Sequence, residues 1–189
     1  MNLWSHPDAE TRKIVEIVNK TKRNTFLEIG CFRFSLTINF ILMSKEPNLI
    51  IANDKIDHSP ETRELIDKYH SKLFKFVLGD SGLPSTQDTI KGILKGRKLD
   101  ILLIDGDHGK GHVEIDTRTY VDLVDDDGYI IWHDTMRGAG KLFEPWFIEK
   151  LQQNVLINLY FEGESRIGWI QGKEWKRYMK NLKPTGRME

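Results

Sequence analysis

The segment Ile104-Asp105-Gly106-Asp107-His108-Gly109-Lys110 sets two carboxylates and an imidazole within four residues, directly after the apolar run Leu99–Leu103. A second apolar run ends in Trp132-His133-Asp134. Carboxylates and imidazoles at this spacing suit a divalent-cation site, an acid–base pair, or two polar loops that only order their neighbours. The residue types alone leave these three open. His108 has the side chain whose ordinary pKa, near ~6.5, fits a general base.

Other chemistry-bearing residues stand just after apolar runs. Glu28-Ile29-Gly30-Cys31 follows the first, Asp54 the second, and Gly79-Asp80-Ser81 the third. In an open parallel sheet, ligands sit beyond the carboxyl ends of the strands, where the strand order reverses. Gly30 admits a close approach of ligand to backbone, and an acid at Asp54 can accept hydrogen bonds from ribose hydroxyls. A dinucleotide fingerprint needs G-x-G-x-x-G, of which a single glycine is present, so NAD is disfavoured. An acid after one strand is commonly a cap or a solvated turn; acids after successive strands point to a shared ligand.

The elements that must position these residues can be read from periodicity. Thr25–Ile29, Leu49–Asn53, Phe74–Leu78, Leu99–Ile104 and Tyr129–Trp132 are short apolar runs that read as strands buried on both faces. Between them, Ser59-Pro60-Glu61 opens a helix with Leu65, Ile66 and Tyr69 on one face, and Ser85 with Asp88 reads as a capping box ahead of Ile90, Ile93 and Leu94. A further helix is expected from Lys110 to Asp125, with Asp107 as its cap or as support for the acidic cluster and His112 at the surface. Asp125-Asp126-Asp127 reads as a solvated turn before Gly128. A helix is expected around Gly138–Gln152, and then Val155–Phe161 and Arg166–Ile170 flank Glu162-Gly163-Glu164-Ser165 as a hairpin. The pattern predicts an α/β protein whose parallel sheet ends in an antiparallel hairpin. Trp132 and Tyr129 are expected in the core, and Trp146 in the core or a lid.

Composition narrows the partners. Lys plus Arg and Asp plus Glu both number 28, so no strong overall positive field favours nucleic acid. Lys173, Lys176, Arg177 and Lys180 read as a solvated helix face. Cys31 is the only cysteine, which rules out an intramolecular disulfide. MNLWSHPDAETRK has no signal-peptide core, and no apolar run approaches the ~20 residues of a membrane span, so a soluble cytoplasmic protein is expected.

Taken together, FLEIGCFRF, IIANDK, VLGDS, LDILLIDGDH and DDDGYIIWHDT resemble, in order and spacing, the class I S-adenosylmethionine-dependent methyltransferases. They are most similar to the small metal-dependent O-methyltransferases of the catechol, macrocin and cephalosporin-hydroxylase-like branches. The resemblance runs over about residues 24–171. It implies a Rossmann-like seven-stranded sheet with the last strand antiparallel and helices on both faces, an N-terminal helix within residues 1–23, and a C-terminal helix and tail over 172–189. By position it implies cofactor contacts from Glu28, Gly30 and Cys31 around the methionine part, Asp54 at the ribose, and Asp80 with Ser81 at the adenine. It also implies a divalent cation on Asp105, His133 and Asp134, with His108 at the offset where catechol-type relatives carry a catalytic lysine.

Two positions depart from the family pattern. Phe34 stands where a further glycine is usual, and a ring there is expected either to narrow the cofactor pocket or to send the loop along another path. His133 replaces an oxygen donor, so either the metal is softer than Mg²⁺, such as Mn²⁺, Fe²⁺ or Zn²⁺, or His133 does not ligate it. The resemblance implies methyl transfer to an oxygen of a small hydroxylated molecule. The short chain leaves closure over the substrate to a second subunit. A metal-dependent hydrolase using Asp105, His108, His133 and Asp134, and a silent cofactor-binding protein, are the competing readings.

Overall fold

A computed structural model describes residues 8–21, 25–107, 111–135, 157–162 and 165–181. The helix expected around 138–152, Trp146 and His108 lie outside the described residues.

Strands β1 (Thr25–Ile29), β2 (Leu49–Asp54), β3 (Phe74–Leu78), β4 (Leu99–Ile104), β5 (Val124–Trp132), β6 (Asn158–Glu162) and β7 (Ser165–Gln171) form one sheet in the order β3-β2-β1-β4-β5-β7-β6. β1 to β5 run parallel, and β7 is antiparallel to both β5 and β6. This is the expected parallel sheet ending in a hairpin. The chain leaves β1 toward β2 and β3, then returns to place β4 on the other side of β1. That reversal opens a crevice at the carboxyl ends of β1 and β4.

Every residue of β1 and β4 is buried, because helices cover both faces. Alternate residues feed two cores. Leu27, Ile29, Leu102, Ile104 and Trp132 pack with α4 (Pro84–Leu94), α5 (His112–Tyr120) and α6 (Gly172–Asn181). Phe26, Ile50, Leu103 and Ile131 pack with α1 (Asp8–Val18), α2 (Ser35–Met43) and α3 (Pro60–His70). The polar exception within β4, Asp100, is buried and accepts a hydrogen bond from Thr25 N at 2.9 Å, fixing the start of β1. Among the described residues, no helix is long and apolar enough to cross a membrane.

Several local expectations are corrected. β5 begins at Val124 rather than Tyr129, and residues 125–128 bulge opposite Asp100. Gly128 is required there, since a Cβ would lie 2.8 Å from the carbonyl oxygens of Leu99 and Asp100. The helix expected from Lys110 to Asp125 is α5 followed by a 3₁₀ turn, Val121–Leu123, because β5 claims the residues that follow. α4 starts at Pro84 with Leu83 at its N-cap, so Ser85 lies inside the helix and makes no capping box. Ser59 does sit at the N-cap of α3, but its hydroxyl meets Thr62 Oγ1 at 2.8 Å instead of a backbone N–H. On α3 only Ile66 is buried; Leu65 and Tyr69 face outward.

Candidate functional site

A cavity of about 280 Å³ opens at the crevice, lined by the ends of β1 to β4 and by His112 of α5. Backbone bonds stitch the strand ends around it. Gly30 N and Cys31 N donate to Asn53 O at 2.9 and 3.2 Å, and Asp105 N donates to Ile29 O at 2.9 Å. Asn53 Nδ2 donates to Val77 O and Gly79 O, both at 2.9 Å, so this one buried residue ties the β1 end through its carbonyl and the β3 end through its amide. Gly30 has φ +85°, and a Cβ on it would lie 2.1 Å from Asp105 O. No other residue type fits there.

Asp54 ends β2 and faces the cavity. Its Oδ2 accepts a hydrogen bond from Phe32 N at 2.9 Å and its Oδ1 from Ile56 N at 3.1 Å, so it braces the loops after β1 and β2. Phe32 is 43% exposed, with its ring 4.8 Å from that of His58, and both residues line the cavity. Phe34, expected to narrow the pocket, does not reach it. The chain takes φ +63° at Phe34 and turns its ring to the opposite face, 6.0 Å from Phe74 and 5.3 Å from Phe76.

Glu28 and Cys31, expected as cofactor contacts, lie behind the cavity rather than on its wall. The Thr37 hydroxyl of α2 donates to Glu28 Oε2. Burial pushes the Glu28 carboxyl up to about 8, Thr37 opposes this, and the nearby charges of Asp105 and Asp54 reinforce it. Burial likewise pushes the Cys31 thiol up, out of the nucleophilic range.

At the far wall stand Asp80 and Ser81. Asp80 Oδ1 accepts a hydrogen bond from Gly82 N at 2.8 Å, and Ser81 Oγ donates to Asp116 Oδ1 at 2.6 Å. Asp116 is buried on α5, which pushes its carboxyl up to about 6 against the lowering effect of Ser81. Asp107 pairs with Lys55 at 3.0 Å at the cavity wall. His112, expected at the surface, lines the cavity, because α5 starts late and turns its first residue inward.

The two polar clusters do converge. His133 Nδ1 lies 3.0 Å from Asp105 Oδ1 and 3.1 Å from Asp134 Oδ2. One donor atom from each of Asp105, His133 and Asp134 falls within 4.8 Å of the others. One nitrogen and two carboxylate oxygens suit a divalent cation, so the donor chemistry fits the expected site. Asp105 is also on the cavity wall, so cluster and cavity share a residue.

Sequence reasoning missed Glu10. This residue of α1 is 1% exposed, and its Oε2 lies 3.1 Å from His133 Nε2. Burial alone would lower the His133 pKa; the charge of Asp105 and hydrogen bonds to Asp105, Asp134 and Glu10 outweigh it and hold the imidazole well above its ordinary value.

Residues 27–135 match the family described as a methyltransferase domain. No curated protein matches the chain. Among solved structures, the O-methyltransferase from Bacillus cereus in complex with SAH is 15% identical, with a TM-score of 0.66 over 89% of this chain and 82% of that one. MycE methyltransferase from the mycinamycin biosynthetic pathway, in complex with Mg and SAH, is 14% identical, with a TM-score of 0.60 over 92% of this chain and 51% of that one. An O-methyltransferase family protein from Burkholderia thailandensis is 10% identical, with a TM-score of 0.61 over 85% of this chain and 55% of that one. The chain thus spans about half the length of the last two, and at these identities the likeness is one of fold. The family match covers more than half of the chain and takes in the end of every strand around the cavity, which places this protein in the methyltransferase domain family, with the class I fold of S-adenosylmethionine-dependent enzymes.

Proposed function

We propose that the protein transfers the methyl group of S-adenosylmethionine to an oxygen of a small hydroxylated molecule of the sugar or natural-product type, with a divalent cation on Asp105, His133 and Asp134. The observation that carries this reading is Asp105, which belongs to both the cavity wall and the cation-competent cluster. A cofactor in the cavity and an acceptor at the cluster would then meet across one side chain. The complex of MycE with Mg and SAH supports pairing these two sites on this fold.

When bound, the cofactor supplies a methyl group activated on a sulfonium, and the cation supplies a Lewis acid that acidifies a hydroxyl. The chain's own residues position and exchange protons. Gly30 lets the cofactor lie against bare backbone. Asp54 holds the Phe32 and Ile56 amides in place and would hold the ribose, and Asp80 with Ser81 would hold the adenine. Asp116 and Tyr120 anchor that last loop, Tyr120 by donating from its hydroxyl to Ser81 O at 2.7 Å. His108, three residues after Asp105, is assigned as the general base that takes the acceptor's proton. Alignment of acceptor oxygen and methyl group contributes most of the rate, because the leaving group is already activated.

Calorimetric titration with SAH tests the cofactor half: Asp54→Ala weakens binding at least tenfold, through loss of two braced loops. Methyl transfer to a panel of hydroxylated acceptors, with metal stripped and then restored, tests the other half. Full SAH affinity without turnover on any acceptor would replace this reading with a silent cofactor binder. Metal-dependent phosphoesterase activity in a protein that ignores SAH would replace it with a hydrolase.

A further inference from the structure

We propose that Glu10 is a positioning residue of the cation site, holding the His133 imidazole so that Nδ1 is the ligand atom and making the seating of α1 part of cation binding. The inference rests on the reading of Asp105, His133 and Asp134 as a cation site. An imidazole can ligate only through a nitrogen that bears no proton, and a hydrogen bond from the other nitrogen decides which one that is. Here Nε2 faces the Glu10 carboxylate at 3.1 Å, while Nδ1 faces Asp105 and Asp134 at 3.0 and 3.1 Å. Carboxylates, which only accept, face both nitrogens; a cation seated between Asp105 and Asp134 would take the place of the proton on Nδ1, while Glu10 keeps the proton on Nε2.

Glu10 is held firmly enough to do this. Ile14, Ile17 and Val18 of α1 are buried against the sheet, and Lys13 Nζ lies 5.7 and 5.4 Å from the ring centroids of Tyr160 and Trp169 on the hairpin. A buried carboxylate is costly to keep without strong partners. Glu10 Oε1 has no hydrogen-bond partner among the described residues, so the contact with His133 is what the described structure offers this side chain in return. A residue that orients a ligand histidine acts on metal affinity itself, a readout that a purely structural partner does not move.

The test compares Zn²⁺ affinity, by competition with a chromophoric chelator, in the full chain and in Glu10→Ala, Glu10→Gln and Asp105→Ala. Glu10→Ala is expected to weaken Zn²⁺ binding 10- to 100-fold. Glu10→Gln, whose carbonyl still accepts from Nε2–H, recovers most of the loss. Metal-free SAH binding reports that each variant is folded. Nitrogen-15 NMR of the Zn²⁺-loaded protein is expected to show His133 protonated at Nε2. Wild-type affinity in Glu10→Ala beside a lost Asp105→Ala site would overturn the role of Glu10 and leave the cation site standing. Equal losses in Glu10→Ala and Glu10→Gln, or a proton on Nδ1, would overturn it too. A wild-type chain that does not bind Zn²⁺, or an Asp105→Ala variant that binds it normally, would remove both the site and the inference.

Discussion

Glu28 shows how one buried group sets the response of the fold to pH. It is 1% exposed behind the loop that carries Gly30, and burial pushes its carboxyl from an ordinary 4.5 up to about 8. Between these values the native state holds a proton that the unfolded chain has released. Stability therefore falls as pH rises from about 4.5 to about 8, by at most ~1.4 kcal/mol per pH unit from this group. Glu28→Gln keeps an acceptor for the Thr37 hydroxyl and cannot ionise. Urea denaturation at pH 5, 6.5 and 8 is expected to show the variant gaining stability over the parent as pH rises. Parallel pH profiles would mean that Glu28 ionises normally in the fold.

Elements transmit such local constraints, and α6 is the clearest case. Trp175 is 3% exposed, with its ring 6.0 Å from that of Trp132, which ends β5 directly before His133. Trp132 Nε1 in turn donates to Thr117 Oγ1 of α5 at 2.9 Å. Trp175→Ala should cost about 3–5 kcal/mol through the cavity it leaves, and lower the melting temperature by roughly 10 °C. Calorimetry of the full chain checks this; a fall under ~2 °C would show that α6 is not part of the cooperative core. The central strands were legible in the sequence because helices on both faces demand unbroken apolar runs. The start of β5 was not, because its Asp-Asp-Asp-Gly stretch has turn chemistry and is absorbed as a bulge. Phe34 takes the second course open to it: the loop follows another path at a positive φ, because tertiary packing of the ring outweighs the local strain. Asp105, His133 and Asp134 could be paired from strand ends alone, since adjacent parallel strands bring their ends together. Glu10 could not, because nothing in the local pattern of α1 says which distant imidazole it will meet.

Across the whole molecule, the balanced charge conceals a polarity. Asp54, Asp80, Asp105 and Asp107 outnumber Lys55 on the cavity wall at the carboxyl ends of the strands, with Glu10 and Asp134 close by. Lys72, Lys75, Lys95 and Arg97 line a separate cleft of about 350 Å³ near the amino ends of β2 to β4. The field along the sheet therefore attracts cations to the proposed cofactor site. S-adenosylmethionine carries a sulfonium charge that SAH lacks, so the metal-free protein is expected to bind the former more tightly at low ionic strength. A divalent cation on Asp105, His133 and Asp134 cancels part of that advantage by repelling the sulfonium, while leaving SAH nearly unaffected. Couplings between sites are typically 1–3 kcal/mol, so the preference should shrink about fivefold or more when Mn²⁺ is added. Linkage makes the effect reciprocal: S-adenosylmethionine must weaken Mn²⁺ by the same factor by which Mn²⁺ weakens it. Titrations of both cofactor forms with and without Mn²⁺, repeated at high salt to screen the exposed charges, measure each arm. An unchanged preference would place the cation too far from the sulfonium to feel it, and so would separate the two halves of the site that Asp105 joins.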